Sequence, residues 1–244
     1  MKKKDTDLPL EHDHSREAIA DRLAGSVRTT HLRDMIYGGI DGAVTTFAIV
    51  AGVEGAGLSP KVIVALGIAN VLADGFSMAA GNFAGTKADL DDQKRLRAVE
   101  ERHIDLAPEG EREELRQILQ MKGLEGDVLE QATDAITARR STWIDMMMVD
   151  EYGLSPVNPE PKQAAVATFL AFLVAGSVPL LPFIFGMDRA FEISAVGTAL
   201  VFFAIGTMKS RWSLAPWWRS GLETLLIGGV AASIAYFVGT LFNN

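Results

Sequence analysis

The chain has no cysteine. That excludes a disulfide framework and any thiolate metal site. It also has no basic surplus: 23 Lys and Arg stand against 31 Asp and Glu, a formal net charge of −8, and nothing gathers the cations into a patch. Nucleic acid is therefore not an expected partner. The opening segment, MKKKDTDLPLEHDHSREAIADRL, has no apolar core, so it is not expected to be a cleaved signal peptide.

What the chain does have is apolar runs. Charge is dense in 1–34 and 87–162 and nearly absent between and after them. Apolar runs near 20 residues are the length a helix needs to cross lipid. The expected fold class is an all-α membrane protein with five transmembrane helices, at about 34–53, 60–83, 163–185, 191–208 and 222–242. The organisation follows as a cytosolic N-terminal segment (1–33), spans one and two (34–86), a cytosolic three-helix insert (87–162) and spans three to five (163–244). Residues 1–14 are expected to be mobile, and Ser15, Ile19, Leu23 and Val27 to mark a short amphipathic helix. In the insert, helices are expected where the second span runs on through Leu106, from Pro108 to Gly123, and from about Asp127 to Tyr152. Pro179 and Pro182 should kink span three, and Trp212, Trp217 and Trp218 fall between spans four and five, where an interfacial belt belongs. Glu223 should snorkel at the entrance of span five. Lys and Arg concentrate before span one, in the insert and after span four. By the positive-inside rule these segments are cytosolic and the C-terminus lies on the opposite side.

Two of the runs carry groups that lipid penalises. The first, MIYGGIDGAVTTFAIVAGV, contains Asp41; the second, VIVALGIANVLADGFSMAAGNFAG, contains Asn70, Asp74 and Met78 four residues apart. In a helix, i, i+4 and i+8 share a face, so these three form one polar stripe ending in a thioether. A carboxylate near the bilayer centre costs about 2.5–3.5 kcal/mol even on the lenient insertion scale, and such groups are normally kept for a function. The pair of helices is expected to form an ion path. Alternatives stay open: Asp41 as a packing hydrogen bond to Thr45 or Asn70, Asp74 as a proton carrier, a ligand or a packing partner, and Met78 as core. Glycines at 38, 39, 42, 52, 67, 75 and 81 permit close approach between helices or subunits.

The insert offers ligand pairs at helical spacing: Glu100 with His103, Glu111 with Glu114, and Met147 or Met148 with Glu151. Carboxylates with an imidazole suit Fe(II), Mn(II) or Zn(II), and thioether sulfur tilts the choice away from Mg and Ca. The competing reading is a solvated acidic face with methionines filling a core. Three adjoining methionines are not expected to face one core, which favours ligands.

IDGAVTTFAIVAGVEGAGLSP, then LADGFSMAAGNF, then a charged insert ending WIDMMMVDEYGLSP, closely resembles the vacuolar iron transporter family over about residues 31–242. The resemblance implies a homodimer whose path lies between the first two spans of both subunits. It also implies movement of Fe(II), often with Mn(II) or other divalent ions, out of the cytosol in exchange for protons. By position, the family's membrane aspartate falls on Asp41 and its membrane methionine on Met78. Its insert ligands fall on Glu100, His103, Glu111, Glu114, Met147, Met148 and Glu151. Two positions depart from the family pattern: His103 stands for a second glutamate, and Thr30 for a glutamate eleven residues before the membrane aspartate.

The expected function is therefore a proton-coupled divalent-metal transporter and not an enzyme, with metal as cargo and no catalytic cofactor. A membrane-tethered di-iron carboxylate oxidase is the rival, since Glu100-x-x-His103 resembles half of a ferritin-like site. Such sites need two of these motifs plus two further glutamates, and the insert holds only one. A membrane-bound metal sensor would leave the intramembrane carboxylates unexplained.

Overall fold

The structure, a computed structural model, describes residues 12–25 and 30–243. A short helix, α1 (Arg16–Ala24), opens where the Ser15 hydroxyl accepts a hydrogen bond from the Ala18 N–H at 3.3 Å. It buries none of its residues. The segment before it at 1–11 and the continuation through Val27 lie outside the described residues.

Two long helices follow, α2 (Leu32–Gly55) and α3 (Pro60–Leu106), the second with proline in its first turn. α3 runs 47 residues without a break, so it is about 70 Å long at 1.5 Å per residue. Only its first half is apolar; the rest carries the charged sequence away from the bundle. The residues between the second and third spans then form α4 (Pro108–Met121), α5 (Gly126–Thr137) and α6 (Arg140–Asp150). The expected single helix over 127–152 is thus corrected to two. The break falls at Arg139, which is extended (φ −119°, ψ 95°), while Arg140 reaches back to Asp105 at 2.6 Å and to the Glu101 carbonyl at 2.9 Å. An unbroken helix would run past the end of α4. Folding back lets α6 pack on α3, α4 and α5 around Ile104, Leu115, Leu119, Leu129, Trp143 and Met147.

The third span begins as α7 (Pro161–Ser177), tightens into a 3₁₀ turn (Val178–Leu180) and continues as α8 (Leu181–Ile184). Pro179 and Pro182 remove backbone donors there, and the Ser194 hydroxyl donates to the Pro179 carbonyl at 2.7 Å. α9 (Ala190–Ser210) and α10 (Trp217–Thr240) complete the chain. Trp217 and Trp218 open α10, so of the expected belt only Trp212 lies in the connecting loop. Among the described residues, five helices are long and apolar enough to cross a membrane, counting α7 to α8 as one. An all-helical span is what lipid demands, since it satisfies every backbone group internally. α2 is the hub, packed against α3, α7, α9 and α10. It gets there by lacking side chains: a Cβ on Gly42 would stand 2.5 Å from the Phe172 carbonyl oxygen of α7.

Candidate ion path and metal centre

Asp41 is half-buried in the middle of α2. The Thr45 hydroxyl donates to the Asp41 backbone carbonyl at 2.8 Å, and Asn70 Nδ2 of α3 donates to the Thr45 hydroxyl oxygen at 3.3 Å. Thr45 thus links α3 to the α2 backbone, and among the described residues the Asp41 carboxylate accepts no hydrogen bond. The charges of Asp41 and Asp74 act on each other across the α2–α3 seam. Along α3, Asn70 and Met78 are half-buried and Asp74 is exposed on the outer face of the single chain. The neighbouring face of α3, about 100° round the helix through Ile63, Gly67, Val71, Gly75 and Ala79, is the one buried. The stripe thus borders the buried face, with Asn70 touching α2 and Asp74 left on the outside of the single chain.

The same four-residue register continues to Asn82 and Thr86, which sequence reasoning passed over. Asn82 Nδ2 donates to Asp34 Oδ1 at 2.9 Å and to the Thr168 hydroxyl at 2.7 Å, while Thr86 donates to Asn82 at 3.3 Å. His31 Nδ1 lies 3.2 Å from Asp34, and its Nε2 lies 3.2 Å from Gln163 and 3.4 Å from Glu160. The starts of α2 and α7 are thus tied to the middle of α3 at the insert side of the bundle. Thr30, the position where the family pattern has glutamate, is exposed just ahead of this network.

Farther along α3, Glu100 and His103 meet Glu111 at the start of α4. One ligand atom from each lies within 4.8 Å of the others, and His103 Nδ1 stands 3.3 Å from Glu111. Glu100 is fully buried and Glu111 nearly so, whereas the His103 side chain is 46% exposed. Among the described residues, Glu100 Oε1 and Glu111 Oε2 are buried without a hydrogen-bond partner. Orphaned carboxylate oxygens are costly unless something positive sits against them, so this donor set fits a divalent cation. Burial first, then the charges of Glu111 and Glu151, push the Glu100 carboxyl up to about 8. Glu151 is raised as well, by burial and then by Glu114 and Glu111, which draws both exposed glutamates into the same electrostatic cluster.

Tyr152, not foreseen from sequence, donates its hydroxyl to Glu100 Oε2 at 3.4 Å. The only signal for it was an aromatic hydroxyl directly after Glu151. The methionines behave differently from expectation. Met147 is fully buried in the insert's apolar core, and Met146 and Met148 both pack against that core. All three reach it because α6 has neighbours on several sides, so the premise that adjoining methionines cannot share a core fails.

With this geometry in place, comparison with known proteins decides the family. The VIT family model matches residues 32–240. The chain belongs to the VIT family. Among its relatives, vacuolar iron transporter 1 of Arabidopsis thaliana is 33% identical over 211 residues, covering 84% of this chain and 83% of the relative. Vacuolar iron transporter 2 of Oryza sativa subsp. japonica is 32% identical over 210 residues, with 84% and 85% covered. The vacuolar iron transporter of Toxoplasma gondii is 31% identical over 243 residues, with 94% and 80% covered. In this VIT-family chain, α3 contributes residues to both candidate sites. From Met78 to Glu100 is 22 residues of unbroken α3, about 33 Å.

Proposed function

We propose that this chain is a membrane transporter that moves Fe(II), and with it Mn(II), Zn(II) or related divalent ions, out of the cytosol in exchange for protons. The observation that carries this reading is the Asp41 carboxylate, half-buried in a span, without a hydrogen-bond partner among the described residues, and close enough to Asp74 for the two charges to act on each other. In lipid such a group needs a cation or a proton. The insert, on the lysine- and arginine-rich cytosolic side, captures metal between Glu100, His103 and Glu111, with Glu114 and Glu151 adding negative field. The cargo then reaches Asp41 and Met78. Protons arriving from the far side compete for the same carboxylate oxygens and release it. A second copy of the chain, set against the exposed face of α3, would place two such carboxylates on one ion and cover Asp74. The rival oxidase reading finds no second Glu-x-x-His pair in the insert to complete its site.

The test is metal uptake into proton-loaded liposomes. Asp41→Ala is expected to abolish it while the protein remains folded and keeps the oligomeric state of the wild type. Uptake at the wild-type rate would refute the proposal.

A further inference from the structure

α7 and α9 both pack on α2, yet the two make no substantial contact with each other along the bundle. Between them lies a groove of about 440 Å³, walled by Ala171 and Ala204 and floored by Gly39, Ala175 and Ile205. Met35, Ala167 and Met208 mark its end at the insert side, and Val178, six residues before the far end of the third span, its other end. Eleven residues of α7 separate Ala167 from Val178, so the groove is about 16 Å long, close to half of a ~30 Å hydrocarbon core. No charged or hydrogen-bonding side chain lines it.

Charge appears only at its insert-side mouth. Ala204, Met208 and Arg211 stand at i, i+4 and i+7, so Arg211 continues the groove-lining face of α9 by one turn, with Lys209 beside it. Both cations are exposed, and neither forms an ion pair or a side-chain hydrogen bond among the described residues. A gap of this size between two spans forfeits packing on both walls unless something apolar fills it. A second helix would require the walls to part, since a helix with its side chains is about 10 Å across. The exposed acidic stripe of α3, which does call for another protein, lies elsewhere: Gly39 faces the groove, while Asp41, two residues on, points to another side of α2.

We propose that this groove binds one acyl chain of a phospholipid with an anionic headgroup, the headgroup being held at the insert side by Arg211 and Lys209. The groove takes the tail of a lipid in the leaflet on that side, and the two cations select the charge of its head. α7 and α9 are thereby coupled through a lipid instead of through each other.

Native mass spectrometry of the full chain, delipidated and then titrated with equal amounts of phosphatidylglycerol and phosphatidylcholine, tests this. One retained phosphatidylglycerol per chain is expected, favoured roughly tenfold over phosphatidylcholine. Ala204→Phe, which fills the groove, should lose retention of both lipids. The double variant Arg211→Gln, Lys209→Gln should retain lipid but lose the headgroup preference. Ala171→Leu, a smaller intrusion on the other wall, repeats the groove test should Ala204→Phe not fold. Equal retention of the two lipids by the wild type would overturn the proposal, as would retention unchanged by groove filling. A change of oligomeric state in Ala204→Phe without lipid loss would assign the groove to a second copy instead. None of these readings depends on metal transport.

Discussion

Glu100 is where residue-scale chemistry is most sharply defined. A fully buried carboxyl beside Glu111 and Glu151 holds its proton up to about pH 8, against an ordinary value of 4.5. Between those values the metal-free folded chain carries a proton that the unfolded chain has released, so stability falls as pH rises through the window. Trp143, buried in the same core, reports unfolding of the insert by its fluorescence. The metal-free wild type should melt at a lower temperature at pH 8.5 than at pH 6. Glu100→Gln should flatten that dependence, and saturating Mn(II) should raise the wild-type midpoint at the higher pH. A wild-type midpoint that climbs with pH would contradict the buried-acid reading. Most of this site was legible in the sequence, because Glu100-x-x-His103 and Glu111-x-x-Glu114 have a spacing that any helix converts into a shared face. Tyr152 and the role of the methionines were not, because they depend on how α6 is seated against three other helices and not on its own periodicity. Asn82 was legible in principle, as the next step of the 70–74–78 register, and only its partners Asp34 and Thr168 required the fold.

At the scale of elements, sequence reading succeeded where hydrophobicity sets the answer and failed where a single side chain does. The five apolar runs and the unbroken passage from span two into the insert follow from composition and from the lack of any breaker between Pro60 and Leu106. The split between α5 and α6 has no proline or glycine to announce it. It depends on Arg140 finding Asp105 and on burial that only the folded insert offers. Helix seams allow a direct test. Gly42 sits under the Phe172 backbone, whereas a Cβ on Gly229 of α10 would meet nothing within 4 Å. Gly42→Leu is expected to force α2 and α7 apart, destabilising the chain by about 1–3 kcal/mol or preventing folding altogether. Gly229→Ala should leave the melting temperature unchanged or raise it slightly, through better helix propensity. Thermal unfolding of the two variants side by side checks the difference, and equal behaviour would mean that the α2–α7 seam is not what holds the bundle.

For the molecule as a whole, the distribution of polar groups over the outer surface is the informative quantity. α7, α9 and α10 present Val166, Leu170, Val196, Leu200, Val230 and Ile234 outward, a surface suited to lipid tails. α3 does not: its outer face mixes exposed Leu72 and Phe76 with Asp74 and Ser77. An exposed carboxylate in a span costs too much to be left against hydrocarbon, so that face needs a protein surface or water. The proposed second copy supplies both, because two α3 faces related by a two-fold axis would line a shared path with Asp41 and Asp74 from each side. The absence of cysteine makes this testable in the otherwise native chain. Ser77→Cys places one thiol on the exposed face of α3, and Val230→Cys places one on the lipid-facing side of α10. Mild oxidation in membranes should cross-link Ser77→Cys into a covalent dimer and leave Val230→Cys monomeric on a denaturing gel. If both cross-link to the same extent, the contact is random collision. If only Val230→Cys does, the face opposite to the one inferred here joins the two copies, and Asp74 must instead be reached by water within a single chain.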